Sequence, residues 1–260
     1  MKLKTENEIA AMREAGKAAA ASLIAMREAI VPGETTTLQL DEIAGETLAK
    51  YGAKAALNGY KPPFSKVPYL HNTCISVNDE IIHGVPRRGY VLHDGDIVGL
   101  DLVASVDGWC ADSAITVPVG SVSDKAKRLL TVTREALHKG IAQAKAGNHM
   151  GDVGSAIQRF AEQQRCGIAE DLVGHGVGVS VHEPGLDVPN RGRAGQGVRL
   201  LLGMTFAIEP MLALGKGVTL QKNNDPWTVW TKDHTLAAHF EHTVAITENG
   251  PLILTLPAKD

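Results

Sequence analysis

Apolar positions at Ile9, Met12, Gly16, Ala19, Leu23 and Met26 step by three or four through a run rich in Ala, Glu, Lys and Arg and free of proline. That spacing lines one face of a helical period and predicts an amphipathic helix over 6–29, stopped by the VPG at 31–33. Leu38, Leu40, Ile43 and Leu48 predict a second helix over 37–51, closed by Gly52. The Pro-rich region 58–72, NGYKPPFSKVPYLHN, reads as loop. Short apolar runs at 74–77 and 80–83 flank an Asn-Asp turn, and longer ones at 96–106 and 109–119 flank Asp-Gly, a strong hairpin signal. The order then recurs. Helices are expected over 125–146 and 152–165, ended by Gly147 and Gly167, followed by strands at 172–181, 204–212, 227–231 and 238–247. Gly33 to Gly52 spans 19 residues and Gly147 to Gly167 spans 20, each pair bracketing the second helix of its half. Two halves of helix, helix and strands predict an α/β (α+β) fold with a duplicated unit. No low-complexity linker interrupts the chain, so residues 1–260 are expected to form one domain.

Some strands carry residues that strands should not contain. Asp101 sits between Leu100 and Leu102, and Asp112 lies 11 residues on, across the Asp-Gly turn. With the turn centred near Val106–Asp107 the two aspartates fall opposite one another and share a face. Like charges in that position repel, and burying even one uncompensated carboxylate costs several kcal/mol. No Lys or Arg lies between Gly89 and Lys125, so the neutralising charge must come from elsewhere. Glu209 ends the run MTFAI before Pro210, and Glu241 sits inside HFEHTVAIT. His175 is held between Gly174 and Gly176, and His182 follows seven residues later. A lone strand carboxylate usually faces water and a lone histidine is usually packing or surface, a reading that suits His138, His149 and His234. Four carboxylates with one imidazole, however, match the ligand set of a two-metal hydrolase for Mn, Fe, Co or Zn. Two divalent ions would balance the four negative charges and make the Asp101–Asp112 proximity tolerable.

Composition narrows the partners. The net charge is −3, from 26 basic and 29 acidic residues, which gives no electrostatic reason to expect nucleic acid or an anionic membrane. Cys74, Cys110 and Cys166 are widely spaced and odd in number, against a disulfide framework or a zinc finger. The N-terminal MKLKTENE lacks the apolar core of a secretory signal, and the longest uncharged run near it, 18–26, is about half of the ~20 residues a membrane span needs. A cytoplasmic, soluble protein is expected.

The ordered set SVNDEIIHGVP, the Asp101/Asp112 pair, GHGVG with a second His seven on, MTFAIEP and FEHTVAIT resembles the type I methionine aminopeptidases of the M24 metallopeptidases. The match runs from the first helix to the tail ENGPLILTLP. The resemblance implies the pita-bread fold, with pseudo-twofold halves around a curved, mainly antiparallel sheet. It implies that Asp101 binds one ion, that Asp112 and Glu241 bridge two, and that His175 and Glu209 complete the other shell. Glu209 would also act as the base, His83 would contact substrate near the scissile amide, and His182 would stabilise the oxyanion. Cys74, Trp227 and Tyr69 would line the methionine pocket. The reaction implied is removal of an N-terminal methionine followed by a small residue. The expected partners are a peptide or nascent chain beginning with Met and the ribosome, with no nucleic acid, no membrane and a monomeric state.

The chain departs from the family pattern at several points. The segment before Cys74 carries extra KPPFSKV, Val103 stands where Thr is common, Ala111 and Ser113 flank Asp112 where GDT is common, Val181 replaces Phe, and His239 replaces Gln. Glu209 follows His182 by 27 residues, without the insertion of type II members. Prolidases and aminopeptidases P share fold and ligands, but usually carry a further N-terminal domain, whereas here the first helix is expected from about Glu6. A non-catalytic member of the fold should show substituted ligands, and none of the five is substituted.

Overall fold

The capping signals at the start of both leading helices form as the sequence dictates. In the computed structural model, which describes residues 2–62, 65, 67–169, 171–222 and 224–258, Thr5 caps α1 (Glu6–Glu28) and the Glu8 carboxylate accepts from the Thr5 N–H at 2.8 Å. Thr36 and Gln39 form the same reciprocal box at α2 (Thr37–Lys50). Strands β1 (Lys54–Ala55), β2 (Cys74–Val77), β3 (Glu80–Ile82), β4 (Ile97–Val106) and β5 (Trp109–Pro118) follow. Then come α3 (Asp124–Ile141) and α4 (Met150–Gln163). The second half continues with β6 (Gly167–Ile168), β7 (Val173–Gly176), β8 (Glu183–Pro189), β9 (Thr205–Ile208) and β10 (Met211–Ala213). It ends with β11 (Thr219–Gln221), β12 (Val229–Thr231), β13 (Ala237–His239), β14 (Glu241–Thr247) and β15 (Gly250–Ile253).

The main sheet runs β1-β4-β5-β14-β9-β7-β8, with β2 added on β4 and β15 on β14, and its ladders are antiparallel. α1 packs with α2 and on β4 and β5, burying Ala15, Leu23 and Met26 against Leu100 and Leu102. α3 packs with α4 and with strands of the second half, burying Leu129, Leu137 and Ile157 with Phe206, Ile208 and Val244. The helix–helix–strand order thus repeats with one core per half. No helix among the described residues is long and apolar enough to cross a membrane.

Four expected elements are redrawn by local chemistry. The helix expected over 125–146 stops at Ile141, where the N–H groups of Gln143 and Ala144 turn back to carbonyls three residues earlier. The run 204–212 divides into β9 and β10 around Glu209-Pro210, since proline has no N–H for a ladder. The run 238–247 divides at Phe240, and 172–181 ends at Gly176. Of the extra KPPFSKV segment, Pro63, Phe64 and Lys66 lie outside the described residues.

The β4–β5 register also corrects the sequence reading. Asp107 (φ 49°) and Gly108 (φ 83°) form the turn, both left-handed as a type I′ hairpin requires. Val106 therefore pairs with Trp109, Val103 with Asp112 and Asp101 with Ala114. Asp101 and Asp112 are diagonal neighbours, not direct partners. Moving the turn centre by one residue shifts pairing by two, so the shared face survives.

Gly16 lets α1 approach the C-terminal chain closely at Leu254. A Cβ there would stand 2.1 Å from the Leu254 carbonyl oxygen. Because that atom is backbone, Gly16→Ala is expected to destabilise the protein by about 1–3 kcal/mol despite alanine's better helix propensity. The shift of the urea midpoint at unchanged slope measures it.

Candidate metal centre

Strand alternation builds the site. Leu100 and Leu102 of β4 enter the helix-facing core, so Asp101 and Val103 face the other way. Pairing then lays one row across the sheet: Cys74 beside Asp101, Asp101 beside Ala114, and Ala114 beside Glu241. Glu209 joins from the end of β9, whose Ile208 pairs with His242 next to Glu241. His175 comes from β7, at a register shift between His175 and Gly176. A Cβ on Gly174 would meet the Ala207 carbonyl oxygen at 2.3 Å, so a glycine there allows β7 to lie close on β9.

Asp101, Asp112, His175, Glu209 and Glu241 all line one cavity of about 570 Å³, and among the described residues no Lys or Arg lines it. His175 Nε2 stands 3.5 Å from Asp112 Oδ2 and 3.7 Å from Glu209 Oε1. Ligand atoms of Asp112, His175 and Glu241 lie within 4.8 Å of one another. The other nitrogen of His175 faces the Gly176 carbonyl at 3.1 Å. A carbonyl only accepts, so Nδ1 donates and Nε2 is left as the nitrogen facing the carboxylates, where it carries a proton in the metal-free fold and would give that proton up to a metal ion.

Electrostatics tests whether these residues fit a cation. Burial, then Asp112 and Glu209, pushes the Asp101 carboxyl well above the usual carboxylate range. Burial, then Asp112, Glu209 and Asp101, does the same to Glu241. Burial opposes charge on His175, but the hydrogen bond to Asp112 and the neighbouring carboxylates outweigh it and raise that ring. Asp112 Oδ1 and Glu241 Oε1 are buried without a hydrogen-bond partner. Buried, mutually repelling carboxylates with spare oxygens are what divalent ions resolve, so the residues present fit the group. The oxygen and imidazole donors suit borderline divalent metals.

The remaining predicted residues fall around this centre. His83 and His182 line the same cavity, and burial lowers them to about 4 and about 3, so both are neutral near pH 7. His83 adopts φ 57°, a left-handed conformation uncommon for a residue with a side chain, just before Gly84. His182 lies against His175 with ring centroids 3.9 Å apart, and its Nδ1 is 2.7 Å from the Tyr60 hydroxyl. Cys74 and Trp227 line the cavity. Tyr69 does not. It packs edge-on behind Trp227 at 5.0 Å, grouped with Cys74, and its hydroxyl donates to the Thr73 carbonyl at 2.8 Å. Burial pushes the Cys74 thiol well up, which leaves it protonated and apolar.

Several lining residues escaped the sequence reading: Leu57, Asp171, Asp187, Gln221 and Val229. Asp187 pairs with His175 across β7 and β8. Its strand, EPGLDVP, carries two prolines and a glycine and so gives no strand signal.

Comparison with known proteins bears on this geometry. The sequence model of metallopeptidase family M24 matches residues 10–248. The methionine aminopeptidase of Aquifex aeolicus is 45% identical over 257 residues, 98% of each chain. The crystal structure of methionine aminopeptidase from Thermotoga maritima superposes with a TM-score of 0.93 at 42% identity, over 98% of this chain and 99% of that one. The prolidase of Pyrococcus furiosus shares the fold at a TM-score of 0.74 and 23% identity, covering 99% of this chain and 66% of its own. The chain belongs to metallopeptidase family M24, on its methionine aminopeptidase branch.

Proposed function

We propose that this enzyme removes the N-terminal methionine from peptides and newly made proteins whose second residue is small. The observation that carries the reading is the single cavity in which four carboxylates and an imidazole meet, with Cys74 and Trp227 on its wall. Asp101, Asp112, His175, Glu209 and Glu241 would hold two divalent ions, of Mn, Fe, Co or Zn. When bound, the ions supply Lewis acidity toward the scissile carbonyl and the attacking water.

The chain's own residues do the rest. Glu209 accepts the proton of the attacking water and returns it toward the leaving amine. His182 is neutral, and in the tautomer whose Nδ1 accepts from the Tyr60 hydroxyl, 2.7 Å away, the ring proton is on Nε2 and available to the oxyanion. His83 is neutral as well and serves as a hydrogen-bonding contact at the scissile amide. The apolar thiol of Cys74 and the indole of Trp227, backed by Tyr69, suit a polarisable thioether. We place the enzyme in the cytoplasm as a monomer acting on nascent chains at the ribosome; no helix among the described residues is long and apolar enough to cross a membrane.

The test is cleavage of Met-Ala-Ser against an X-Pro dipeptide, with the protein chelated and then loaded with each of the four metals. Release of Met only from loaded protein is expected. Preference for X-Pro, or activity indifferent to chelation, would overturn the reading. Trp227→Ala is expected to raise KM for Met-Ala-Ser about tenfold, the equivalent of 1.4 kcal/mol of lost contact, with a smaller change in kcat.

A further inference from the structure

One imidazole at the centre has no part in this ligand set. His239 is 4% exposed, and its Nε2 is buried without a hydrogen-bond partner. That nitrogen stands 3.5 Å from Glu209 Oε2 and 3.9 Å from Glu241 Oε2. Its placement is built rather than incidental. β13 pairs with β10, setting His239 opposite Met211, two residues beyond Glu209. The Thr116 hydroxyl accepts from the His239 N–H at 2.9 Å and donates to the His239 carbonyl at 2.7 Å. The backbone is thus clamped from both sides, and the ring is aimed at the carboxylates.

We propose that His239 is a positioning residue for Glu209, donating its Nε2–H to Oε2. The proposal rests on the reading of Glu209 as ligand and base. Carboxylate oxygens only accept, so a buried ring nitrogen between two of them is satisfied only when it carries the proton. The Nε2–Oε2 separation is just beyond hydrogen-bond distance, and a shift of a few tenths of an ångström closes it. The two oxygens of Glu209 then have separate neighbours: Oε1 faces His175 and Oε2 faces His239. A hydrogen bond at Oε2 restrains the carboxylate and leaves Oε1 as the oxygen presented to metal and water. Partners of this kind behind a metal ligand change metal affinity by about 10–100-fold.

The test uses the full chain with His239→Leu, His239→Asn and His239→Gln. Leucine removes the donor, asparagine keeps an amide too short to reach, and glutamine restores a donor of similar reach. Co(II) is titrated into chelated protein and followed by calorimetry and visible absorption, beside kcat and KM on Met-Ala-Ser. His239→Leu and His239→Asn are expected to weaken Co(II) binding about tenfold or more, alter the absorption bands and lower kcat, with KM within about threefold. His239→Gln is expected to keep affinity and spectrum near the parent's. Wild-type affinity and bands in His239→Asn would overturn the proposal, as would a loss in His239→Gln equal to that in the other two. If His239→Leu does not fold by circular dichroism, the asparagine and glutamine pair decides. Parent protein that binds Co(II) without releasing Met sinks the functional reading, and the titrations still decide the role of His239.

Discussion

Asp112→Asn is expected to lower kcat/KM on Met-Ala-Ser by at least about a hundredfold and to weaken divalent metal binding in parallel. The substitution keeps shape and removes one negative charge where Asp112 Oδ2 faces His175 and Oδ1 has no hydrogen-bond partner. It also separates function from stability. Asp112 is among the charges that push Asp101 and Glu241 up, so neutralising it relieves repulsion in the metal-free fold. The chelated variant should therefore melt no lower than the chelated parent, while the loaded variant loses most of the metal-dependent gain. Paired melts with and without metal, beside steady-state kinetics, check both halves. An inactive variant that unfolds when chelated would assign Asp112 a structural role instead.

Removing the metal from the parent protein should have a comparably large effect, with a definite pH signature. At metal concentrations about 1,000 times Kd, binding to the folded state alone stabilises by about 4 kcal/mol. In the metal-free fold, Asp101 and Glu241 are raised well above their ordinary values of 3.8 and 4.5, so the folded state binds more protons than the unfolded state above those values. Their contribution to stability therefore falls as pH rises. His83, His182 and His242, lowered from 6.5 to about 4, 3 and 4, act in the opposite direction. Those rings lose stability as pH falls below 6.5, and above it they no longer contribute to the slope. The carboxylates' loss begins above 3.8 and 4.5, and the raised His175 ring adds its own above 6.5, so the chelated protein is expected to lose stability as pH rises past 6.5 while the loaded protein does not. Metal binding should release protons, measured as heats that differ between buffers of different ionisation enthalpy. A chelated protein equally stable from pH 6.5 to 8, with no proton release, would contradict the placement of these groups.

Much of this centre is legible in the chain because burial constrains residue type. A charge between Leu100 and Leu102 in a strand that buries both leucines must face something other than water or core, and the alternation identifies the side. Face is legible but register is not. Asp-Gly marks the hairpin, yet a turn centred one residue either way satisfies the same pattern, and only the left-handed backbone at Asp107 and Gly108 decides. β8 stayed hidden for a different reason. Its pairing with β7 is tertiary, and its prolines and glycine argue against a strand locally. Tyr60 reaches His182 across 122 positions of sequence through a loop, which no periodicity encodes. His239 was visible as an unusual residue, but its approach to Glu209 follows from β13 pairing with β10, a contact between segments each too short to announce itself.

The central claim is that five side chains, from β4, β5, β7, β14 and the end of a fifth strand, β9, share divalent cations. Anomalous X-ray scattering from crystals of Co(II)-loaded protein tests it most directly. The account predicts peaks about 2.0–2.2 Å from ligand atoms of Asp101, Asp112, His175, Glu209 and Glu241. Peaks confined to other surfaces, or an ordered cavity that binds no cobalt at saturating concentration, would contradict it.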